Sequence, residues 1–186
     1  MATNITPINE YSSSFNDAFL FDNNVWIYLL CPMSNFEKRQ QFIYSDFLQN
    51  ALSAKSTIYI TSLILSEFVN RCLRFDYNQW KKHPENIQYG QDYKTNFIGS
   101  EAYRESVKNV TSNVNRIIKL TDKFPDDFHI IDLDFILRNL NHVDFNDSYF
   151  IQMAKKRDLK IVTHDADFFS PLFDINIITG NKNIPE

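Results

Sequence analysis

Four acidic residues stand at places in the chain where a carboxylate is suited to chemistry rather than to solvation. Asp22 closes the apolar run Ala18-Phe19-Leu20-Phe21, and Asp165 follows Lys160-Ile161-Val162-Thr163 and His164. Both runs read as strands, which puts both acids at the strand edge where open α/β sheets bind ligands. Glu67 lies one turn into a helix that starts at Ser62, stacked on Leu63 and Ile64. Asp147 lies in the first turn of a helix over 144–157, with Phe150, Ile151 and Ala154 at i+3, i+4 and i+7. The two helical carboxylates therefore share a face with apolar residues. A buried carboxylate is costly unless it is paired or bound to metal. No Lys or Arg is in register with Asp147; Lys155, at i+8, is two turns away.

Two carboxylates about 4 Å apart repel by about 4 kcal/mol at an effective dielectric of about 20. Four converging acids either raise one another's pKa or recruit cations. An all-oxygen donor set suits Mg²⁺ or Mn²⁺. Asp167, two residues beyond Asp165, is a further acid that would ligate through water or serve only the turn. Taken singly, each acid has a plainer role. Asp22 can cap the helix after it, Asn146 or Asp147 can cap the next, and Asp165 can start a turn. Glu67 can pair with Arg71 at i+4. The order strand-end acid, helix acid, helix acid, strand-end acid is what points to a shared metal site.

The elements that must position these acids alternate along the chain. Strands are expected at 18–21, 57–61, 160–163 and 175–179, with a short one at 128–131. Helices are expected at 23–30, stopped by Pro32, then 35–53, 62 into the low seventies or beyond, 101–123, 134–140 and 144–157. Ser62 reads as the cap of the third of these. Strands alternating with helices predict an α/β fold with a mainly parallel sheet. Residues 1–17 are polar and read as a lead-in or frayed tail, 18–180 as one domain, and 181–186 as a tail. Residues 76–100 are polar, with Pro84, two of the three glycines and five aromatics, and read as an insertion that is in part helical.

Composition narrows the function. The three glycines, at 90, 99 and 180, exclude both a G-x-G-x-x-G dinucleotide loop and a G-x-x-x-x-G-K-[ST] phosphate loop. A net charge of −4 means that any nucleic acid is held by a local patch or through metal ions. Cys31 and Cys72 lie in apolar stretches and read as buried hydrophobes in a reducing compartment. The start MATNITPINEYSSS lacks a basic n-region and an apolar h-region, and no apolar run is long enough to span a bilayer. The expected location is the cytoplasm.

Three segments resemble the PIN-domain nucleases. FDNNVW at 21–26 is similar to that family's D-x-N after the first strand. SLILSEFVNR at 62–71 is similar to its helix with a single Glu. DFNDSYFIQMAKKRDLKIVTHDADF at 144–168 is similar to its D-x-x-D helix, strand and T-x-D tail. The closing INIIT strand is a weaker fourth match. The resemblance spans about 18–75 and 101–180. The chain departs from the family by the added length at 76–100 and by Asp158 where glycine is common. The resemblance implies a three-layer α/β/α domain and Mg²⁺- or Mn²⁺-dependent hydrolysis of RNA phosphodiesters. Asp22, Glu67, Asp147 and Asp165 would be the catalytic metal ligands, with Asp167 beside them. It also implies relatives among VapC-type toxins, hence a protein antitoxin and a homodimer as possible partners.

Under that reading, Asn24 and Thr163 would orient carboxylates or the phosphate. Lys108, Arg116, Lys119 and Lys123 share an arc of the 101–123 helix and would either track an RNA backbone or form a solvated face. The aromatics of 76–100 would stack bases or pack on their own domain. His164 points away from Asp165 along a strand, and His83, His129 and His142 have no ligand spacing. Two other functions compete. One is a non-catalytic module of the same fold whose acids engage a basic protein, or which binds RNA. The other is a phosphatase, which would want a nucleophilic Asp with a helper Lys, whereas Asn-Asn-Val-Trp follows Asp22.

Overall fold

The computed structural model describes residues 3–31, 38–87 and 91–185. Its strands are β1 (Asn4–Pro7), β2 (Ala18–Phe21), β3 (Thr57–Ile60), β4 (Asp122–Lys123), β5 (Lys160–Val162) and β6 (Asn176–Thr179). They form one sheet in the order β1-β6-β5-β2-β3-β4, with every pair parallel. The helices are α1 (Asn23–Leu30), α2 (Lys38–Ser53), α3 (Ser62–Lys82), α4 (Pro84–Ile87), α5 (Glu101–Leu120), α6 (Leu133–Asn139) and α7 (Phe145–Arg157). This is the expected three-layer α/β/α arrangement. Phe19, Leu20, Phe21, Ile161, Val162, Ile177 and Ile178 are all buried. Burial on both faces explains why these strands read as unbroken apolar runs rather than alternating ones.

The topology fixes where a ligand site belongs. From β2 the chain steps outward to β3 and β4, then returns to lay β5 on the other side of β2. The strand order reverses between β2 and β5, and a crevice opens at the carboxyl ends of two strands whose connections leave in opposite directions. Asp22 follows β2 directly, and Thr163 follows β5.

Several expectations are corrected by tertiary contacts. The polar lead-in contains β1, which pairs with β6 from Asn4↔Asn176 to Pro7↔Thr179. An edge strand needs only one ladder and one apolar contact, so its sequence carries little strand signal. The helix expected to reach 123 ends at Leu120. Thr121 is extended, its hydroxyl donates to Ile117 O at 2.8 Å, and Lys123 belongs to β4 beside Ile60. Phe128–Ile130 is a 3₁₀ turn, not a strand. It follows Asp127, a buried residue at φ 48° whose carboxylate accepts from Arg157 Nε at 2.8 Å. Thr61, not Ser62, caps α3, accepting from Ile64 N at 3.2 Å. The expected helix starting at 35 is described from Lys38, and Pro32 lies outside the described residues.

The helix that starts at Ser62 does run beyond the low seventies: α3 continues through residues 76–82, which makes the first part of the 76–100 segment helical. Beyond it, Asp92 caps a π-helical turn, Tyr93–Phe97. The Phe97 ring is fully buried and touches Tyr77, Trp80, Tyr93 and Tyr103 at 5.5–5.7 Å between centroids. These aromatics thus pack on their own domain. Asp158 ends α7 at φ 51°, a left-handed position that Asp occupies at modest cost and that glycine would fill more freely. No described helix is long and apolar enough to cross a membrane.

Candidate metal centre

Asp22 both caps α1 and faces the crevice. Its carboxylate accepts from Asn23 N at 2.6 Å, Asn24 Nδ2 at 2.5 Å and Thr163 Oγ1 at 2.7 Å. The Thr163 hydroxyl spends its one proton on Asp22, and its oxygen accepts from Asn24 Nδ2 at 3.1 Å and Asp165 N at 3.0 Å. Asn24 Oδ1 accepts from His164 N at 3.2 Å. Asn24 and Thr163 therefore lace the end of β2 to the segment after β5. Three donors favour the ionised form of Asp22, yet burial outweighs them and, with the charges of Glu67 and Asp165, lifts its pKa to about 7.

Asp147 is half-buried in the first turn of α7. Its cap is neither itself nor Asn146 but Asp144, whose carboxylate accepts from Asp147 N at 2.9 Å. That leaves the Asp147 carboxylate free to face the crevice. Burial first, then the charges of Asp22, Asp144, Asp165 and Glu67, push its pKa to about 8. Asp165 accepts from Asp167 N at 3.0 Å and so turns the chain as well as facing the site. Burial and the charges of Asp165 and Asp144 push the Asp167 carboxyl up. Oxygens of Asp147, Asp165 and Asp167 lie within 4.8 Å of one another, close enough to share one ion.

Glu67 is held differently. Asn23 Nδ2 donates to its Oε1 at 2.9 Å, Asn146 Nδ2 to its Oε2 at 3.2 Å, and Arg71 Nη1 stands 3.5 Å from Oε1. The expected pairing with Arg71 is thus present, but it is long, and Glu67 still repels Asp22 and Asp147. Among the described residues, no Lys or Arg forms an ion pair with Asp22, Asp147, Asp165 or Asp167.

This donor set fits a hard divalent cation. All donors are oxygen, three can reach one ion, and the acids raise one another's pKa where a cation would relieve them. The fully buried Asn23, which holds Glu67 through Nδ2, also keeps an unpartnered Oδ1. Asn23, Asp144 and Asn146 were not singled out from the sequence as site residues. Only Asp144 carried a local signal, an Asp three residues ahead of an acid in the first turn of an apolar helix.

The four basic residues named from the sequence lie on α5 and β4. Lys108, Arg116 and Lys119 are exposed on α5, with Lys108 3.9 Å from Glu105, and Lys123 is on the edge strand. His164 faces the core on the other side of the segment. Its ring meets Tyr28 and Tyr44 edge-on, and its Nδ1 lies 3.0 Å from the Tyr44 hydroxyl. Tyr44 Oη donates to Thr163 O at 3.0 Å and accepts from Gly180 N at 3.0 Å, bracing the backbone that carries Thr163 and Asp165. Replacing Tyr44 by Phe should cost about 1–3 kcal/mol, the penalty for leaving buried backbone groups unpaired. Urea denaturation checks this; an unchanged midpoint would mean that the brace carries no load.

A family model described as "PIN domain" matches residues 19–171. Among solved structures, the chain resembles one in the crystal structure of VapBC2 from Rickettsia felis bound to a DNA fragment from their promoter. That match has a TM-score of 0.51 at 13% identity and covers 87% of this chain and 96% of that one. PAE2754 from Pyrobaculum aerophilum aligns with a TM-score of 0.46 at 14% identity, over 90% of this chain and 86% of that one. No curated protein matches the chain.

Proposed function

Because the chain belongs to the PIN domain family, we propose that it is a Mg²⁺- or Mn²⁺-dependent endoribonuclease that hydrolyses RNA phosphodiester bonds. The observation that supports this most is the grouping of Asp147, Asp165 and Asp167 within 4.8 Å beside the buried Asp22, at the point where the strand order reverses. A divalent cation bound there would offset charge on the scissile phosphate and lower the pKa of the attacking water. The chain's own residues do the positioning. Asp147, Asp165 and Asp167 would hold the ion, and the buried Asp22 would add its charge to the site. Thr163 and Asn24 fix the Asp22 carboxylate, and Asn23 and Asn146 fix Glu67. A carboxyl with a pKa near 8 must give up its proton before it ligates, so metal affinity and cleavage rise with pH through the neutral range.

The direct test is cleavage of a fluorescently labelled single-stranded RNA with Mg²⁺, with Mn²⁺, and with EDTA. Cleavage in either metal that EDTA abolishes is the expected result, and the same rate in EDTA would dismiss the reading. In the toxin branch of this proposal, a small antitoxin protein and a second copy of the chain are the partners. The cytoplasm is the proposed location.

A further inference from the structure

The acidic crevice has a basic neighbour, of which the sequence pointed only to Arg71, as a partner for Glu67. Ser66, Glu67, Asn70, Arg71 and Arg74 of α3, with Asn146 of α7, line a cleft of about 280 Å³. Ser66, Asn70 and Arg74 are four residues apart, as are Glu67 and Arg71, and Arg74 is three beyond Arg71, so these residues form a single stripe on α3. Glu67 belongs to the acidic site, and the two arginines extend from it. Arg71 stands about 6 Å and Arg74 about 10.5 Å along the helix axis from Glu67, at 1.5 Å per residue. Arg74 is held in place from the side: its guanidinium carbon lies 4.0 Å from the centre of the Tyr93 ring, on the π-helical turn that precedes α5. Arg71 is 54% exposed, and its contact with Glu67 is long enough to leave most of its donors free.

We propose that this cleft is a phosphate subsite, in which Arg71 and Arg74 take successive backbone phosphates of an RNA strand whose scissile bond lies over the acids. Ser66 and Asn70 would supply hydroxyl and amide contacts to the sugar-phosphate backbone. The proposal rests on the nuclease reading and names how its substrate is held. Its warrant is charge. A chain of net charge −4 with a cluster of carboxylates repels a polyanion, so the strand must meet cations immediately beside the acids. Guanidinium groups grip phosphate through paired donors, and a stacked guanidinium is already oriented to do so. Neither α5 nor β4 contributes a residue to this cleft, so it is a basic surface separate from the arc on α5.

The test is binding of a fluorescein-labelled ten-nucleotide single-stranded RNA, followed by anisotropy over a range of salt in the Asp147→Asn background, which prevents cleavage. Adding Arg74→Ala should weaken binding about tenfold and reduce the log–log salt slope by about 0.7, the value for one phosphate contact on a single strand. Adding Arg71→Ala as well should remove about 0.7 more. Arg74→Lys, which keeps the charge and loses the fork, should retain the slope. An unchanged slope and affinity in Arg74→Ala would overturn the subsite even if the wild-type chain cleaves RNA. Arg74-dependent binding by a wild-type chain that cleaves nothing in Mg²⁺ or Mn²⁺ would uphold the subsite and remove the nuclease reading instead.

Discussion

Replacing Asp147 by Asn is expected to lower RNA cleavage by more than the roughly 100-fold that an outer-shell partner of a metal gives, while the metal-free chain becomes more stable. Both effects have one cause. Asp147 is a half-buried carboxylate pressed by the charges of Asp22, Asp144, Asp165 and Glu67, with no cation paired to it among the described residues. Its ionised form serves a bound ion and otherwise costs the fold free energy. An amide of the same shape removes the repulsion and the ligand charge together. Asp22→Asn is a less clean change. The Asp22 oxygens accept from a backbone amide, a side-chain amide and a hydroxyl, and an asparagine NH₂ would point a donor at donors. Cleavage rates and thermal denaturation of Asp147→Asn, measured side by side, check the prediction. Near-wild-type cleavage would remove Asp147 from the mechanism, and a lower Tm at pH 8 would contradict the electrostatic argument.

The second large effect is a stability that depends on pH in one direction without metal and is restored by it. Asp22 and Asp147 have folded-state values of about 7 and about 8, far above the ordinary carboxyl value. The native chain therefore holds protons that the unfolded chain has already released. The contribution of these two acids to stability is fully present below the unfolded pKa of about 4 and is lost as pH rises through their folded values of about 7 and about 8. His164 acts the other way. Burial lowers its pKa, so its contribution is lost as pH falls below about 6.5. The lowered carboxyls of Asp17 and Asp174 matter only in acid. Between about pH 6.5 and 8.5 the site acids decide the slope. In EDTA, Tm should drop by several degrees over that window, each kcal/mol amounting to about 2–4 °C in a chain of this size. At pH 8, Mg²⁺ or Mn²⁺ at a hundred times its Kd should raise Tm by about 5–10 °C. Differential scanning calorimetry reads both. A Tm that is flat in EDTA and unmoved by either metal would mean that the carboxylates neither repel nor ligate.

The elements that bury most apolar surface, and the acids attached to them, are legible in the order of residues alone. Phe19-Leu20-Phe21 and Ile161-Val162 are continuous apolar runs because both sheet faces are covered, and that pattern is local. Asp22 and Asp165 follow from those runs by position, and Glu67 and Asp147 from their place beside apolar residues on helices. Features that depend on partners distant in the chain arise only when the elements pack. β1 is a strand because β6 offers it a ladder 172 residues away. Lys123 is sheet rather than helix because Ile60 pairs with it. Asn23 and Asn146 are site residues because Glu67, 44 and 79 residues away, takes their amides. The cleft with Arg71 and Arg74 exists because α7 comes to lie beside α3. Periodicity and capping report what a residue does within one turn of itself. The pKa of Asp147, raised by burial and by carboxylates from four other points in the chain, is a property of the assembled pocket.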